Sequence, residues 1–372
     1  MKILIAADSF KDALHSFDVC DAIAKGIQLA NPNIEITKFP LADGGEGTGD
    51  ILMHHLGGHK KEIIVCDPLL RPVHTDYVLS QDGKTAFIEL AKSSGLELLT
   101  YSERNPMNTT TFGLGEMIKD AMDGGVTNMV LSIGGSATND AGMGMAVALG
   151  FRFYDVNGQP LAGNGKDLSK VTRWEVDEEV KNTLAKIKYT TLCDVTNPLF
   201  GHHGAARTFA AQKGATPEDI LLLDKGLAHF AAVLNAVDLA EKKGAGAAGG
   251  VGFGSLFFLN AKLSKGIQMV MEMTHFEHHV RNCDLVITGE GRIDAQTAHG
   301  KLIQGVSSIS KKHHKPVIAL CGSLMTSPDD IKALGLKAAF SISHGPQSLA
   351  DALRDTALHL EQTAFNVVRS MM

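Results

Sequence analysis

Cysteine is sparse and scattered. The five residues, Cys20, Cys66, Cys193, Cys283 and Cys321, form no C-x-x-C pair. That excludes a zinc ribbon and a disulfide framework and suits a reducing, cytoplasmic setting. Positive charge is not in excess either: 35 Lys and Arg stand against 41 Asp and Glu, a formal net charge of −6. No global basic field is therefore available to hold nucleic acid. Low-complexity linkers and short-period repeats are missing. The apolar run that opens the chain is too short for a signal h-region and ends at Asp8, so it reads as a buried strand. The uncharged stretch 244–261 approaches bilayer-spanning length. It is mostly Gly and Ala with Ser255 and Asn260, too weakly hydrophobic for a membrane helix.

The familiar nucleotide signatures are absent as well. No segment reads G-x-x-x-x-G-K-[ST]: Gly165-Lys166 precedes Asp167, and Gly300-Lys301 precedes Leu302. The spacing Gly244-Ala-Gly246-Ala-Ala-Gly249 matches G-x-G-x-x-G, but it follows the charged Glu241-Lys242-Lys243 rather than a strand, so the Rossmann context fails. No H-R-D and D-F-G pair marks a protein kinase. His275, Glu277, His278 and His279 have metal-ligand spacing, yet between Met273 and Arg281 they read as an exposed helix face. His54-His55, His202-His203 and His313-His314 are discounted in the same way.

What the chain does have is 372 residues, 44% of them hydrophobic and 20% charged, enough for about two globular domains. An apolar strand, a Gly/Ser/Thr/Asp cluster and a helical pattern recur. Lys2–Ala7 leads into Asp8-Ser9-Phe10-Lys11 and a helix over 16–30. A strand over 35–40 leads into Asp43-Gly44-Gly45-Glu46-Gly47-Thr48, and one over 128–133 into Gly134-Gly135-Ser136-Ala137-Thr138-Asn139-Asp140. A strand over 284–288 leads into the turn Gly289-Glu290-Gly291-Arg292-Ile293-Asp294, and one over 316–320 into Cys321-Gly322-Ser323. Such alternation predicts parallel sheet built from βαβ units. Between these segments the texture changes. Gln81-Asp82-Gly83-Lys84 lies between alternating runs, and Asn157-Gly158 follows Phe151–Asp155; both predict hairpins. The expected fold is α/β: a discontinuous, doubly wound, flavodoxin-like parallel-sheet domain over 1–67 and 284–372, with a mixed α/β domain inserted over 68–283.

In open α/β sheets ligands bind beyond the carboxyl ends of the strands, where glycines and helix N-termini receive phosphate. These turns also carry Asp8, Asp43, Glu46, Asp140, Glu290 and Asp294. Carboxylates beside a polyphosphate repel it unless a hard cation lies between, so the combination points to Mg²⁺–nucleotide chemistry. The competing reading of each Asp or Ser is a helix cap.

The series Asp8-Ser9-Phe10-Lys11, Ala42–Thr48, Gly134–Asp140, Cys193-Asp194-Val195-Thr196-Asn197-Pro198-Leu199, Gly246–Gly250 and Ile287–Asp294 resembles, in order and nearly end to end, the motifs of bacterial glycerate kinases. Leu70-Arg71-Pro72-Val73, Gln212-Lys213-Gly214-Ala215 and His344-Gly345-Pro346 look similar too. The resemblance implies ATP, Mg²⁺ and D-glycerate, with 2-phosphoglycerate the usual product, and a flavodoxin-like domain carrying an inserted one. It implies no membrane or nucleic-acid partner and leaves a homodimer open.

On that footing Asp194 is the candidate base, with a metal ligand or a turn-forming cap as its other readings. Arg71 is the candidate fork for the glycerate carboxylate, or else a structural ion pair. Lys11 would meet phosphate or stay solvated. Asp8, Asp43, Glu46, Ser136, Asn139, Asp140 and Arg292 are candidates for binding substrate. Gly249, Gly250, Gly289, Glu290, Gly291 and Asn197 are candidates for nucleotide, though Gly249 and Gly250 also read as a tight packing turn. Asp43 and Asp294 are candidates for the metal. Thr138 is expected to line the same site, and Met143 and Met145 to pack the core. Two departures from the family pattern are Ala7, where Pro is common, and Ala141, where Gly is common. If position 141 needs positive φ, the alanine strains that turn.

Overall fold

The opening apolar run forms the strand Lys2–Ala7, buried from Ile3 onward, as a parallel strand covered on both faces requires. In the computed structural model, described for residues 1–45, 47–294 and 302–372, the chain divides into two units. One comprises Met1–Asp43 and Ile267–Met372, the other Gly44–Gly266. The second is thus an insertion in the first. Its junctions lie upstream of the expected 67/68 and 283/284. The strand His59–Cys66 pairs antiparallel along the whole of Pro72–Leu79, from His59↔Leu79 to Cys66↔Pro72, and that ladder holds it in the inserted unit. At the other end the helix Phe276–Arg281 joins the first unit, where Phe276 packs 5.3 Å from the ring of Phe39.

The first unit has a five-stranded sheet in the order Ala338–Ser341, Val317–Met325, Leu285–Asp294, Lys2–Ala7, Glu35–Lys38. Every pairing is parallel, and the order is that of a flavodoxin-like sheet. The helices Ser16–Ala30 and Thr356–Met371 cross closely, since a Cβ at Gly26 would lie 2.1 Å from the carbonyl oxygen of Glu361. Ile3, Ile5, Ile23, Ile27, Leu360 and Val368 form the centre of the core.

Two expected turns are strand instead. Leu285–Asp294 runs straight through Gly289-Glu290-Gly291-Arg292, and Val317–Met325 runs through Cys321-Gly322-Ser323. The two pair to their ends, at Asp294↔Met325. This mutual ladder outweighs the glycines' weak preference for irregular backbone. It also sets Glu290, Arg292 and Asp294 on one face by their period of two.

The inserted unit has a six-stranded mixed sheet. Lys262–Ser264, Lys188–Leu192, Asn128–Ser132 and Thr85–Glu89 are parallel, followed by antiparallel Pro72–Leu79 and His59–Cys66. The Asp82-Gly83 hairpin forms, with Gly83 at φ +67°. At Asn157-Gly158 a short hairpin forms through the antiparallel bridge Tyr154↔Pro160, and Arg152–Tyr154 also ladders with Arg173–Glu175. Met143 and Met145 lie fully buried in the core with Phe153, Phe230 and Phe253. The apolar stretch beyond Gly244 enters this core over Ala247–Phe258, kinked at Ala248, Gly249 and Gly250 and helical beyond them. No described helix is long and apolar enough to cross a membrane.

Candidate active site

In the first unit the chemistry collects where the central strands end. Asp8 follows the strand Lys2–Ala7, its N–H donating to the carbonyl of Gly289 at 2.9 Å. Burial first, with Asp43 and then Glu290 adding to it, pushes the Asp8 carboxyl up to about 7, against the N–H of Ser9 at 2.7 Å. These three candidates are therefore neighbours, a carboxylate group whose mutual repulsion a cation would relieve. Among the described residues no three His, Cys, Asp or Glu side chains are arranged to hold a metal by themselves. A magnesium that keeps phosphate oxygens and water in its shell needs only one or two carboxylates. Arg292 pairs through Nε with Asp294 at 2.8 Å, and the Arg292 side chain is exposed. Gly289 lets Leu285–Asp294 approach its partner strand, since a Cβ there would meet the carbonyl oxygen of Leu320 at 2.6 Å. Gly291 lies against the backbone of Phe10 and Lys11, and Lys11 is exposed. Glu46 lies outside the described residues.

In the inserted unit the four parallel strands end at Glu89, Ser132, Leu192 and Ser264. Glu89 was not singled out from the sequence, yet it organises the segment that begins at Gly44. Its carboxylate accepts the N–H groups of Gly49 at 2.8 Å and Gly47 at 3.4 Å. Ser132 donates through Oγ to the carbonyl of Gly44 at 2.6 Å. Burial raises the Glu89 carboxyl pKa, against those same N–H groups. The available sign was an acid closing an otherwise apolar run, Ala86-Phe87-Ile88-Glu89.

The 134–140 loop is organised from within. Asp140 is fully buried and accepts from Thr111 N (2.8 Å), Thr111 Oγ1 (2.7 Å), Gly142 N (3.0 Å) and Gly144 N (3.2 Å). Burial raises its pKa, and these donors oppose the rise. Asn139 is also fully buried, and neither its Oδ1 nor its Nδ2 has a hydrogen-bond partner among the described residues. Ala141 adopts φ +55°, so the left-handed position where the family commonly has glycine is realised with a methyl group in place. Across this loop lie Ala248, Gly249 and Gly250, three consecutive left-handed residues at φ +53°, +66° and +93°. A Cβ on Gly249 would stand 2.0 Å from the carbonyl oxygen of Thr138, and one on Gly250 would stand 2.8 Å from the Cα of Ala141. Both glycines face protein backbone.

Lys213 was noticed only as part of a family-like tetrapeptide. A lone lysine ordinarily reads as solvated surface, yet this one is buried. Its Nζ donates to the carbonyl of Thr138 at 2.7 Å and to Ser136 Oγ at 3.2 Å, pinning the loop from beneath. Burial drives its pKa down to about 7, with Asp140 pulling the other way. Between that value and the ordinary lysine range the unfolded chain holds the extra proton, so stability rises with pH through the window. From pH 7 to 9 the gain is roughly 2 kcal/mol, or about 4–8 °C for a unit of this size. The melting temperature of the wild type relative to Lys213→Met is expected to climb by that amount over the interval, read by scanning calorimetry. Parallel pH curves for the two proteins would exclude a titrating Lys213.

Asp194 follows the strand Lys188–Leu192. It is exposed, and its Oδ1 accepts the N–H of Gly266 at 3.2 Å. Asn197 turns its side chain inward, donating to the carbonyl of His203 at 2.7 Å and to Thr208 Oγ1 at 3.2 Å. The N–H of Gly246 donates to the carbonyl of Asn197 at 2.9 Å. The 246–250 segment thereby joins the Asn197 turn to the Thr138–Asn139 loop. Arg71 is engaged by two carboxylates, Asp67 Oδ2 and Glu103 Oε1, each at 2.6 Å. The helix face expected to be exposed is in part packed: half-buried Glu277 pairs with Arg281, Lys312 and His313, and the ring of His279 lies 4.7 Å from that of Phe39.

The model of a family described as the glycerate kinase family matches residues 3–372. A glycerate 2-kinase from Escherichia coli K12 is 41% identical, the match covering 100% of this chain and 98% of that protein. A glycerate kinase from Bacillus subtilis 168 is 42% identical with the same coverage. A glycerate kinase 2 crystal structure from Salmonella typhimurium LT2 superposes with a TM-score of 0.86 at 42% identity, covering 100% of this chain and 98% of that one.

Proposed function

The chain belongs to the glycerate kinase family, and from that premise we propose that it transfers the γ-phosphoryl group of ATP to the 2-hydroxyl of D-glycerate, giving 2-phosphoglycerate and ADP. Its kinase activity on glycerate follows from the family. The regiochemistry is proposed from the likeness to the E. coli glycerate 2-kinase. In the transfer the bond from the substrate oxygen to the γ-phosphorus forms, the bond from that phosphorus to the β,γ-bridging oxygen breaks, and the hydroxyl proton passes to a base.

We assign that base to Asp194, an exposed carboxylate at the end of a parallel strand. Arg71 is assigned to the glycerate carboxylate, exchanging one of its present carboxylate partners for the substrate's. Ser136, with the loop that Lys213 pins, and Arg292 remain our candidates for the substrate's other oxygens. Asn139 and Asp140 shape that loop from inside. Lys11 supplies a point charge to phosphate. The carboxylate group at Asp8, Asp43 and Glu290 fits a magnesium ion, with Asp43 and Asp294 our candidate ligands. Bound there, the ion would offset phosphate charge and hold the nucleotide in line. The five cysteines, all free, fit our reading of a reducing cytoplasm.

The single observation that carries this reading is the end-to-end family match. Its test is ADP release from MgATP with D-glycerate, followed by NMR of the phosphoglycerate. Turnover giving 2-phosphoglycerate is expected. No ADP release would sink the substrate assignment, and 3-phosphoglycerate as product would sink the regiochemistry.

A further inference from the structure

We propose that a cavity lying wholly within the first unit, beside Lys11, and not the glycine segment 246–250, receives the adenosine and inner phosphates of the nucleotide. The inference rests on the kinase reading and adds a location to it. The cavity holds about 480 Å³, within the size range of sites for drug-sized ligands and several times what a three-carbon acid fills.

Its place in the fold is the first reason. From Lys2–Ala7 the chain winds one way to Glu35–Lys38 and later the other way through Leu285–Asp294, Val317–Met325 and Ala338–Ser341. Ligands of open α/β sheets bind at such a reversal, outside the carboxyl ends of the strands. Phe10 and Lys11 line the cavity from one side of the reversal and Gly291 from the other. The segment after Ala338–Ser341 closes it.

Its chemistry is the second reason. Phe10, Ile342, Leu349 and Leu353 form apolar wall, while Ser323, Ser343 and Gln347 add hydrogen-bonding groups. The imidazole of His359 also lines it, 5.0 Å from the ring of His344. Flat apolar surface with a few polar groups suits a purine. Among the described residues that line the cavity there is no carboxylate, and Lys11 is the fixed cation. In a chain of net charge −6, that local composition favours an anionic ligand.

Polarity follows from chain continuity. Lys11 lies three residues past Asp8, and Gly291 is next to Glu290. The strand ends that bear the carboxylate group thus border the cavity at its Lys11 and Gly291 edge. A nucleotide with its base against the 342–359 wall directs its phosphates past Lys11 toward those acids. The glycines of 249–250 offer no comparable cradle, because Thr138 and Ala141 already fill the space their missing side chains leave.

The test uses Gly345→Trp. Gly345 lines the cavity, and a Cβ there meets nothing within 4 Å, so the fold should accept the indole while the cavity does not stay open. Calorimetric titration of the full chain with MgADP is expected to show Kd raised at least tenfold, with D-glycerate titrating as in the wild type. Lys11→Met, at an exposed position, is expected to weaken MgADP several-fold and leave adenosine unchanged. MgADP binding at wild-type strength in both variants would overturn the proposal. So would a Gly345→Trp protein that loses D-glycerate and keeps MgADP, since the cavity would then belong to the acid. A wild type that binds MgADP yet phosphorylates no D-glycerate would defeat the substrate reading and leave these titrations as decisive as before.

Discussion

Asp194→Asn is expected to lower kcat by about 10²–10⁴-fold, the range that a positioned general base contributes, with the fold intact. The carboxylate accepts the N–H of Gly266 at 3.2 Å, and an asparagine side-chain oxygen can accept the same bond. What the substitution removes is basicity, at an exposed position where the extra N–H₂ can be solvated. The loss should fall on kcat rather than on the glycerate KM, because the proton moves only as the oxygen attacks. ADP-release kinetics together with circular dichroism would check it. A kcat within a few-fold of wild type would remove Asp194 as the base and leave it the role of a turn residue or metal ligand.

Gly249→Ala is expected to destabilise the inserted unit by roughly 2–5 kcal/mol. Two costs combine. A left-handed alanine costs about 1–2 kcal/mol. Forcing a methyl group into packed surroundings costs a further ~1–3 kcal/mol. The obstructing atoms are backbone, the carbonyl oxygen of Thr138 at 2.0 Å and the Cα of Asn139 at 2.7 Å, so no rotamer change relieves them. The Ala141 N–H to Gly249 carbonyl bond, 3.0 Å, ties the two loops together and spreads the displacement to Asp140. Gly158→Ala is the control. It has a similar φ of +74° with nothing near its would-be Cβ, so only the conformational cost of about 1–2 kcal/mol applies. Urea unfolding of both variants separates the terms. Equal losses would show that the Gly249 turn yields and that its contact with Thr138 is not structural.

The same residues show how far the amino-acid order could be read. The strand Lys2–Ala7, the helix Ser16–Ala30 and the Asp82-Gly83 hairpin were legible because periodicity and turn chemistry are local properties. The motif series carried the family. The placement of Asp8, Asp43 and Glu290 as neighbours was legible in part, since strand-end acids of one sheet converge. Less legible were residues whose role lies in a partner distant in sequence. Glu89 answers to Gly47 and Gly49, and Lys213 to Ser136 and Thr138. The junction at Asp43 and Gly44 moved because His59–Cys66 found a ladder along Pro72–Leu79.

The order of residues alone settled the α/β class, the interrupted first unit, the kinase family and the acid-and-glycine composition of its loops. These depend on patterns within a few tens of residues and on motif order. Only the tertiary structure decided that Glu290 and Asp294 stand on a continuous strand, that Asp140 is committed to internal N–H groups, that Gly249 faces backbone and that a cavity opens beside Lys11. Each is settled by which distant segment fills the adjoining space, and close packing allows one occupant per place.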